Sequence, residues 1–208
     1  MTDDRTRLTR ARAKGSTDRA ALDALLDSSR VGHFALTRAD GHPVVLPSAI
    51  ARDGDRVLAH GSTGAPWMRL LADGAPTCLA VTELDGLVIA RSAFESSMHY
   101  RSAVLFGRCT VVTGAEKTRA LDVITEALVP GRTAEIRGST KKELQATLVL
   151  ALPIEQWSLK ISAKWPDDPA DDVAGDAWAG VVPFETRTGT PRPAPDLRAG
   201  IPVPPSLS

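Results

Sequence analysis

The sequence predicts a mainly β protein of the α+β class, in which an antiparallel sheet closes or half-closes into a small barrel beside a few helices. Short segments rich in Val, Leu, Ile, Thr and Ala follow one another through most of the chain. Asp-Gly turns separate several of these segments, at residues 40–41, 53–55 and 85–86, and such turns favour hairpins. Connections this short cannot contain a parallel crossover, so we expect antiparallel neighbours.

The elements follow from local patterns, taken in chain order. Residues 1–15 alternate Arg with Asp and Thr, and we expect a mobile tail there. An amphipathic helix is predicted from Ser16 to about Ser29, because its leucines recur at helical spacing. Further helices are predicted at Pro66–Ala72, Ala115–Leu128 and Thr140–Leu148. The predicted strands are Val31–Thr37, Pro43–Ala51, Arg56–His60, Thr77–Thr82, Leu87–Ala90, Ala103–Val112 and Ile154–Ile161.

The composition changes after Lys164, where nine of the 15 prolines lie. Proline-rich chain forms extended arms more readily than an independent core. The same stretch contains Trp178, Phe184 and Ile201, which would be costly to leave in water. We therefore expect a domain over residues 16–164 and an arm over residues 165–208 that packs on the barrel or on a second subunit.

Composition and charge exclude several classes of function. The 208 residues fit one domain, and equal numbers of basic and acidic residues, 25 each, argue against nucleic acid or an acidic membrane as a partner. The N-terminus lacks the apolar stretch of a secretory signal, and no apolar run is long enough to span a bilayer, so a cytoplasmic protein is expected. Two cysteines provide neither a disulfide scaffold nor a structural zinc site.

The common catalytic signatures are missing from the sequence. It contains no dinucleotide-binding or P-loop glycine motif, no H-E-x-x-H and no G-x-S-x-G. The four histidines are scattered without the spacing of metal ligands, and no metal site is expected. This pattern fits a protein whose chemistry belongs to a bound cofactor.

The segment from His60 to Trp67 is one candidate binding loop. It follows an apolar strand, precedes a predicted helix and contains two glycines and two hydroxyl residues. Such a loop can cradle a phosphate through its backbone N–H groups, but it can equally be an ordinary strand-to-helix turn capped by Ser or Thr.

A second candidate is the segment around Tyr100 and Arg101, at the entrance to a predicted strand. Tyr100 is the only tyrosine, and the adjacent guanidinium could contact an anion or a ring. The alternative is a solvated strand edge with surface arginines.

Two longer runs carry a family resemblance: "VGHFALTRADGHPVVLPSAIARDGDRVLAHGSTG" and "GLVIARSAFESSMHYRSAVLFG". They resemble the pyridoxamine 5′-phosphate oxidase-like FMN-binding proteins, and within these the flavin-nucleotide-binding or nitroimidazole-resistance-like branch. The resemblance implies an antiparallel split β-barrel, a homodimer and FMN at the subunit interface. It also implies an FMN-dependent oxidoreductase that acts on a small molecule. The implied cofactor-binding residues are Val45, Leu46, Pro47, His60, Gly61, Ser62, Thr63, Tyr100, Arg101, Ser102 and Trp157.

The chain departs from the family pattern directly after the first candidate loop. Relatives continue with a Ser and then a Lys or Arg that grips the phosphate, whereas this chain has Ala65, Pro66 and Trp67, with Arg69 the nearest downstream cation. Trp67 can instead cover one face of a ring. An alternative function follows: a non-catalytic barrel that binds haem or another flavin.

Overall fold

A computed structural model describes residues 4–9 and 12–207, and within them the expected antiparallel sheet contains ten strands. The strands are β1 (Gly15–Ser16), β2 (Val31–Thr37), β3 (Pro43–Asp53), β4 (Arg56–Ser62), β5 (Pro76–Ile89), β6 (Ser97–Arg108), β7 (Thr110–Val111), β8 (Thr147–Pro153), β9 (Gln156–Ser162) and β10 (Gly180–Pro183). The helices are α1 (Arg19–Ser28), α2 (Pro66–Ala72), α3 (Gly114–Leu128), α4 (Lys141–Ala146) and α5 (Ala170–Val173).

The strand order is β1-β9-β6-β5-β2-β3-β4-β8-β7, and β10 pairs with the end of β5. Strand β3 belongs to both halves of this sheet. Its residues 43–49 pair with β2, whereas its residues 50–53 pair with β4. The sheet therefore folds over at β3 into two halves, the first containing β2, β5, β6 and β9 and the second containing β4, β7 and β8. This is the architecture of a split barrel.

The main core lies between the two halves of the sheet. In the first half, Phe34 is aligned with Leu79 and Leu79 with Leu105, so their side chains share the inward face. Helices α1 and α2 pack into the same core, and α3 covers a second core on the other face of β4 and β8. Fully buried contributors to the main core from the helices and from the second half are Leu22, Leu25, Leu26, Ala59, Met68, Leu71, Leu150 and Leu152.

The prediction of a hairpin turn at the Asp-Gly pair 85–86 is wrong, because both residues lie within strand β5. Strands predicted at Thr77–Thr82 and Leu87–Ala90 are one continuous strand with a bulge between Leu84 and Gly86. A Cβ atom on Gly86 would stand 2.6 Å from the backbone oxygen of Val182 in β10. Glycine is needed there because the C-terminal arm crosses it closely, and not because of a positive φ.

Strand β8 was not predicted, and it runs through the centre of the second half. The helix predicted at Thr140–Leu148 ends at Ala146, and the chain then enters β8. The four residues 149–152 are all buried because cores lie on both faces of the strand. Strand β6 also starts earlier than predicted, at Ser97.

The predicted terminal segments have defined contacts where the structure describes them. Residues 1–3, 10 and 11 of the predicted tail lie outside the described residues; its described part contains short 3₁₀ turns, and Arg5 donates a hydrogen bond to Gln156. In the arm, the side chain of Asp168 is 1% exposed and forms an ion pair of 2.9 Å with Arg91. None of the helices in the described part of the chain has the length and apolar character needed to cross a membrane.

Candidate functional site

An opening in the sheet lies where β3 leaves β4. The ladder between these strands ends at the pair Ile50 and Ala59. Beyond that pair, residues 43–49 are bonded only to β2, and residues 60–62 are bonded only to β8, within the described chain. Two strand edges with unpaired backbone groups therefore face a gap, and unpaired backbone groups at an edge can bind a further partner.

The two edges of this opening carry two of the predicted groups of site residues. Val45, Leu46 and Pro47 lie on the β3 side, and the segment from His60 to Thr63 lies on the β4 side. The two groups are separated in sequence, and both follow the point at which β3 and β4 stop pairing.

Aromatic side chains reach the inner side of the same region. The ring of Trp67 lies 6.1 Å from that of Phe34, centroid to centroid, with the planes tilted by 38°. Leu46 is aligned with Phe34 and packs against the same core. Helix α2 can approach β4 because Gly61 has no side chain: a Cβ atom there would stand 3.0 Å from Met68.

The loop after β4 uses most of its backbone donors internally. The Thr63 N–H bonds the carbonyl of Ala146, the Gly64 N–H bonds the Ser62 hydroxyl oxygen, and the Ala65 N–H bonds the Ser62 carbonyl. Pro66 has no N–H. A backbone cradle built from residues 63–65 would require these hydrogen bonds to be exchanged.

Arg69 is the cation nearest to this loop. Its Nε donates a hydrogen bond of 2.7 Å to the carbonyl of Thr63, and the side chain is exposed. Its two terminal nitrogens have no hydrogen-bond acceptor or carboxylate partner within residues 4–9 and 12–207. The guanidinium is held in place and carries an uncompensated charge.

Arg101 differs from Arg69 because its guanidinium has a carboxylate partner. Its Nε and Nη2 donate to the two carboxylate oxygens of Asp85, at 3.0 and 2.8 Å. This hydrogen-bonded carboxylate raises the pKa of Arg101, which stays protonated, and its negative charge compensates the positive charge of the guanidinium. The contact lies within one subunit and does not involve the opening.

The remaining predicted residues lie elsewhere on the first half of the sheet. Tyr100, Arg101 and Ser102 are on β6. Strands β5 and β2 lie between β6 and β3, so β6 and β3 are about 14 Å apart across the sheet. Lys14 lies over the ring of Tyr100, 5.5 Å from its centroid. Trp157 is aligned with Leu105 and packs against the main core. A single subunit does not bring these residues to the opening.

The first half of the sheet presents a largely apolar surface away from the main core, which we call the outer face. Strand register places its residues in two rows: Val45, Ala35, Cys78 and Phe106, then Pro47, His33, Ala80 and Val104. Val45 is 62% exposed, and the other members are half-buried or exposed. Cys78 is half-buried on this face, whereas Cys109 is buried.

His60 differs from the other three histidines. It is half-buried beside the opening, and its Nδ1 is buried without a hydrogen-bond partner in the described chain. Burial lowers its pKa and favours the neutral ring. His33 and His42 are exposed, and the Nε2 of His99 lies 2.9 Å from the carbonyl oxygen of Lys164. His60 thus has a buried ring nitrogen that no described group satisfies.

These features define a class: an antiparallel split-barrel protein with an opening between two strand edges. A family profile described as pyridoxamine 5′-phosphate oxidase matches residues 18–161. The chain belongs to the pyridoxamine 5′-phosphate oxidase family, as the sequence resemblance predicted.

Solved structures similar to the chain include two with substantial identity. The FAD and heme binding protein from Mycobacterium smegmatis is 55% identical, with a TM-score of 0.90, over 93% of this chain and 95% of that chain. The flavocytochrome Anf3 from Azotobacter vinelandii is 34% identical, with a TM-score of 0.92, over 99% of this chain and 95% of that chain.

A more distant structure shares the fold. It is a putative 5-nitroimidazole antibiotic resistance protein from Bacteroides thetaiotaomicron, 18% identical, with a TM-score of 0.60, over 71% of this chain and 86% of that chain. A comparison with curated proteins found no match.

Proposed function

We propose that the chain is a homodimeric flavoprotein that binds a flavin nucleotide in the opening between β3 and β4 and acts as an oxidoreductase on a small molecule. The observation that carries this proposal is the pair of unpaired strand edges at residues 43–49 and 60–62. A flavin ring has donors and acceptors along one edge, and backbone amides are suited to such a pattern.

A bound flavin would supply the electron transfer, and the chain would supply binding, orientation and exclusion of water. The β3 backbone at 45–47 would face the ring, and Trp67 would cover apolar cofactor surface. Ser62 and Thr63 would lie toward the ribityl-phosphate end. Leu46 and Trp67 pack against the main core, which would hold these two parts of the site in position before the cofactor binds.

Among flavins, FAD is the stronger candidate and FMN the second. FMN follows from the sequence resemblance, but the relative with 55% identity is named as an FAD and heme binding protein. The visible spectrum of the purified protein tests for flavin through absorbance near ~450 nm. Chromatography of the flavin released by denaturation then distinguishes FAD from FMN, and colourless protein that takes up neither would refute the proposal.

The outer face supports the homodimer. Its exposed valine and half-buried apolar rows are a surface of the kind that subunit interfaces cover. Association through this face would also bring a partner's β6, with Tyr100 and Ser102, near the cofactor. The apolar residues of the arm, with Trp178 at 66% and Phe184 at 46% exposure, could pack on the same partner.

Haem is a second candidate ligand, and the unpartnered Nδ1 of His60 favours it. Two relatives are named as haem or flavocytochrome proteins. Iron binds neutral imidazole, and burial keeps His60 in that form. Haem reconstitution of the wild type and of His60→Ala tests this, with absorbance near ~400 nm as the readout. His33→Ala and His99→Ala are the matched controls; an unchanged spectrum in His60→Ala would exclude His60 as the iron ligand.

A further inference from the structure

The anionic end of a flavin nucleotide needs a cation, and the loop from Ser62 to Trp67 contains neither Lys nor Arg. Pro66 in this loop cannot donate a hydrogen bond from its backbone. The neighbouring N–H groups of residues 63–65 bond Ala146 and Ser62. Since residues 62–67 carry no positive charge, the counter-charge for the phosphate would come from a cation beside the loop.

We propose that Arg69 binds the phosphate of the flavin nucleotide and replaces the missing loop cation. This inference rests on the proposed flavin site. The Nε of Arg69 is fixed by its 2.7 Å hydrogen bond to the Thr63 carbonyl, so the guanidinium is held beside the loop. Its two terminal nitrogens remain to donate to phosphate oxygens, in the two-pronged geometry that arginine offers.

The charge distribution distinguishes Arg69 from Arg101. Asp85 bonds Arg101 through both carboxylate oxygens, so an anion would have to displace a carboxylate there. Arg69 has no carboxylate partner among the described residues, and a phosphate would compensate its charge without breaking an ion pair. The free energy of phosphate binding is therefore more favourable at Arg69.

Ser62 completes the set of donors. Its oxygen accepts a hydrogen bond of 3.1 Å from Gly64 N–H, which leaves the hydroxyl hydrogen free to donate. Ser62 is exposed at the end of β4, next to the carbonyl that fixes Arg69. One guanidinium and one hydroxyl would then share the phosphate.

Affinities for FMN, FAD and riboflavin, measured by fluorescence titration of apo-protein, test the inference. Arg69→Gln keeps a donor for the Thr63 carbonyl but removes the charge. We expect it to weaken FMN about 10- to 100-fold, the range for a charge-assisted hydrogen bond, and to leave riboflavin within about twofold. Arg69→Lys should recover part of the loss. An equal loss for FAD would show that its pyrophosphate uses the same residue.

Arg119→Ala is the matched control, because Arg119 is an exposed arginine on α3 and bonds Asp53 at the far end of β3. The affinity of the wild type for FMN should also fall with salt more steeply than that of Arg69→Gln. Unchanged FMN binding in Arg69→Gln, or equal losses for FMN and riboflavin, would overturn the role of Arg69 while the flavin site stands. A wild type that binds no flavin would overturn the proposed function as well.

Discussion

Arg101 and Asp85 form a two-pronged ion pair that joins β6 to the bulge in β5, with donor–acceptor distances of 3.0 and 2.8 Å. Each side chain is about one-third exposed, at 35% and 38%. Asp85 compensates the charge of Arg101 within one subunit. Arg101 therefore has a structural role, because its ion pair connects β5 to β6.

The first prediction concerns this ion pair. Arg101→Ala should lower the free energy of unfolding by about 0.5–1 kcal/mol, as expected for a partly exposed pair, and change FMN affinity less than about threefold. Urea unfolding and flavin titration measure the two effects. A tenfold loss of FMN affinity without a loss for riboflavin would make Arg101 a phosphate ligand instead.

The second prediction concerns Asp53, which links the end of β3 to Arg56 in β4 and Arg119 in α3. The hydrogen bonds from Arg119, and then those from Arg56, lower the pKa of Asp53 from 3.8 to about 2. A carboxylate with a depressed pKa stabilises the fold above the unfolded-state value. That contribution is lost as the pH falls from about 4 to about 2.

Asp53→Asn should therefore destabilise the protein by about 1–2 kcal/mol at pH 7 and flatten the loss of stability between pH 4 and pH 2. Urea unfolding across this pH range measures both effects. Asp122→Asn, an exposed position on α3 without an ion pair in the described chain, should leave the profile as in the wild type. Parallel profiles for wild type and Asp53→Asn would contradict the assigned role.

The third prediction concerns the outer face. Val45→Asp places a charge at its most exposed valine and should convert the proposed dimer to a species of 22.1 kDa in light scattering at micromolar concentration. Val111→Asp changes a comparably exposed strand valine, 40% exposed on β7, and should leave the dimer intact. A wild type that is itself monomeric at this concentration would contradict the interface.

The fourth prediction concerns the docking of β10 on β5. Gly86→Ala would place a methyl group 2.6 Å from the Val182 carbonyl oxygen, so β10 must move away. We expect amide exchange in residues 180–183 to accelerate on the order of tenfold, while the paired core of β5 stays protected. Gly138→Ala has open space around the added atom and serves as the control. Unchanged exchange at 180–183 would show that the arm accommodates the methyl group.

The fold could be predicted where the signal is local. Helices α1, α2 and α3 lie close to their predicted bounds, because apolar spacing and end signals define them. Strand β8 was missed because a continuous apolar segment buried on both faces has no strand-like alternation. The Asp-Gly pair at 85–86 stays within a strand because Gly86 pairs with β6 on one side and with β10, about 100 residues later in the chain, on the other.

The candidate site could be predicted only in part. Sequence motifs identified the segments 45–47 and 60–63, but not that β3 and β4 stop pairing between them, since this depends on where β3 changes partners. The sequence also could not predict that Arg101 has a carboxylate partner and Arg69 has none among the described residues. The partner of Arg101, Asp85, comes from a bulge in another strand. Arg69 lies three residues after Pro66, and the helical turn between them returns its side chain to the loop.

The change of partner along β3 has a consequence for how such proteins diverge. An edge of main chain exists there whatever side chains residues 45–47 carry, provided that they remain compatible with a strand. If the proposed flavin site is at this edge, mutations there would alter which molecule is accepted without removing the backbone groups that bind it. New ligand preferences would then arise by drift at a few positions.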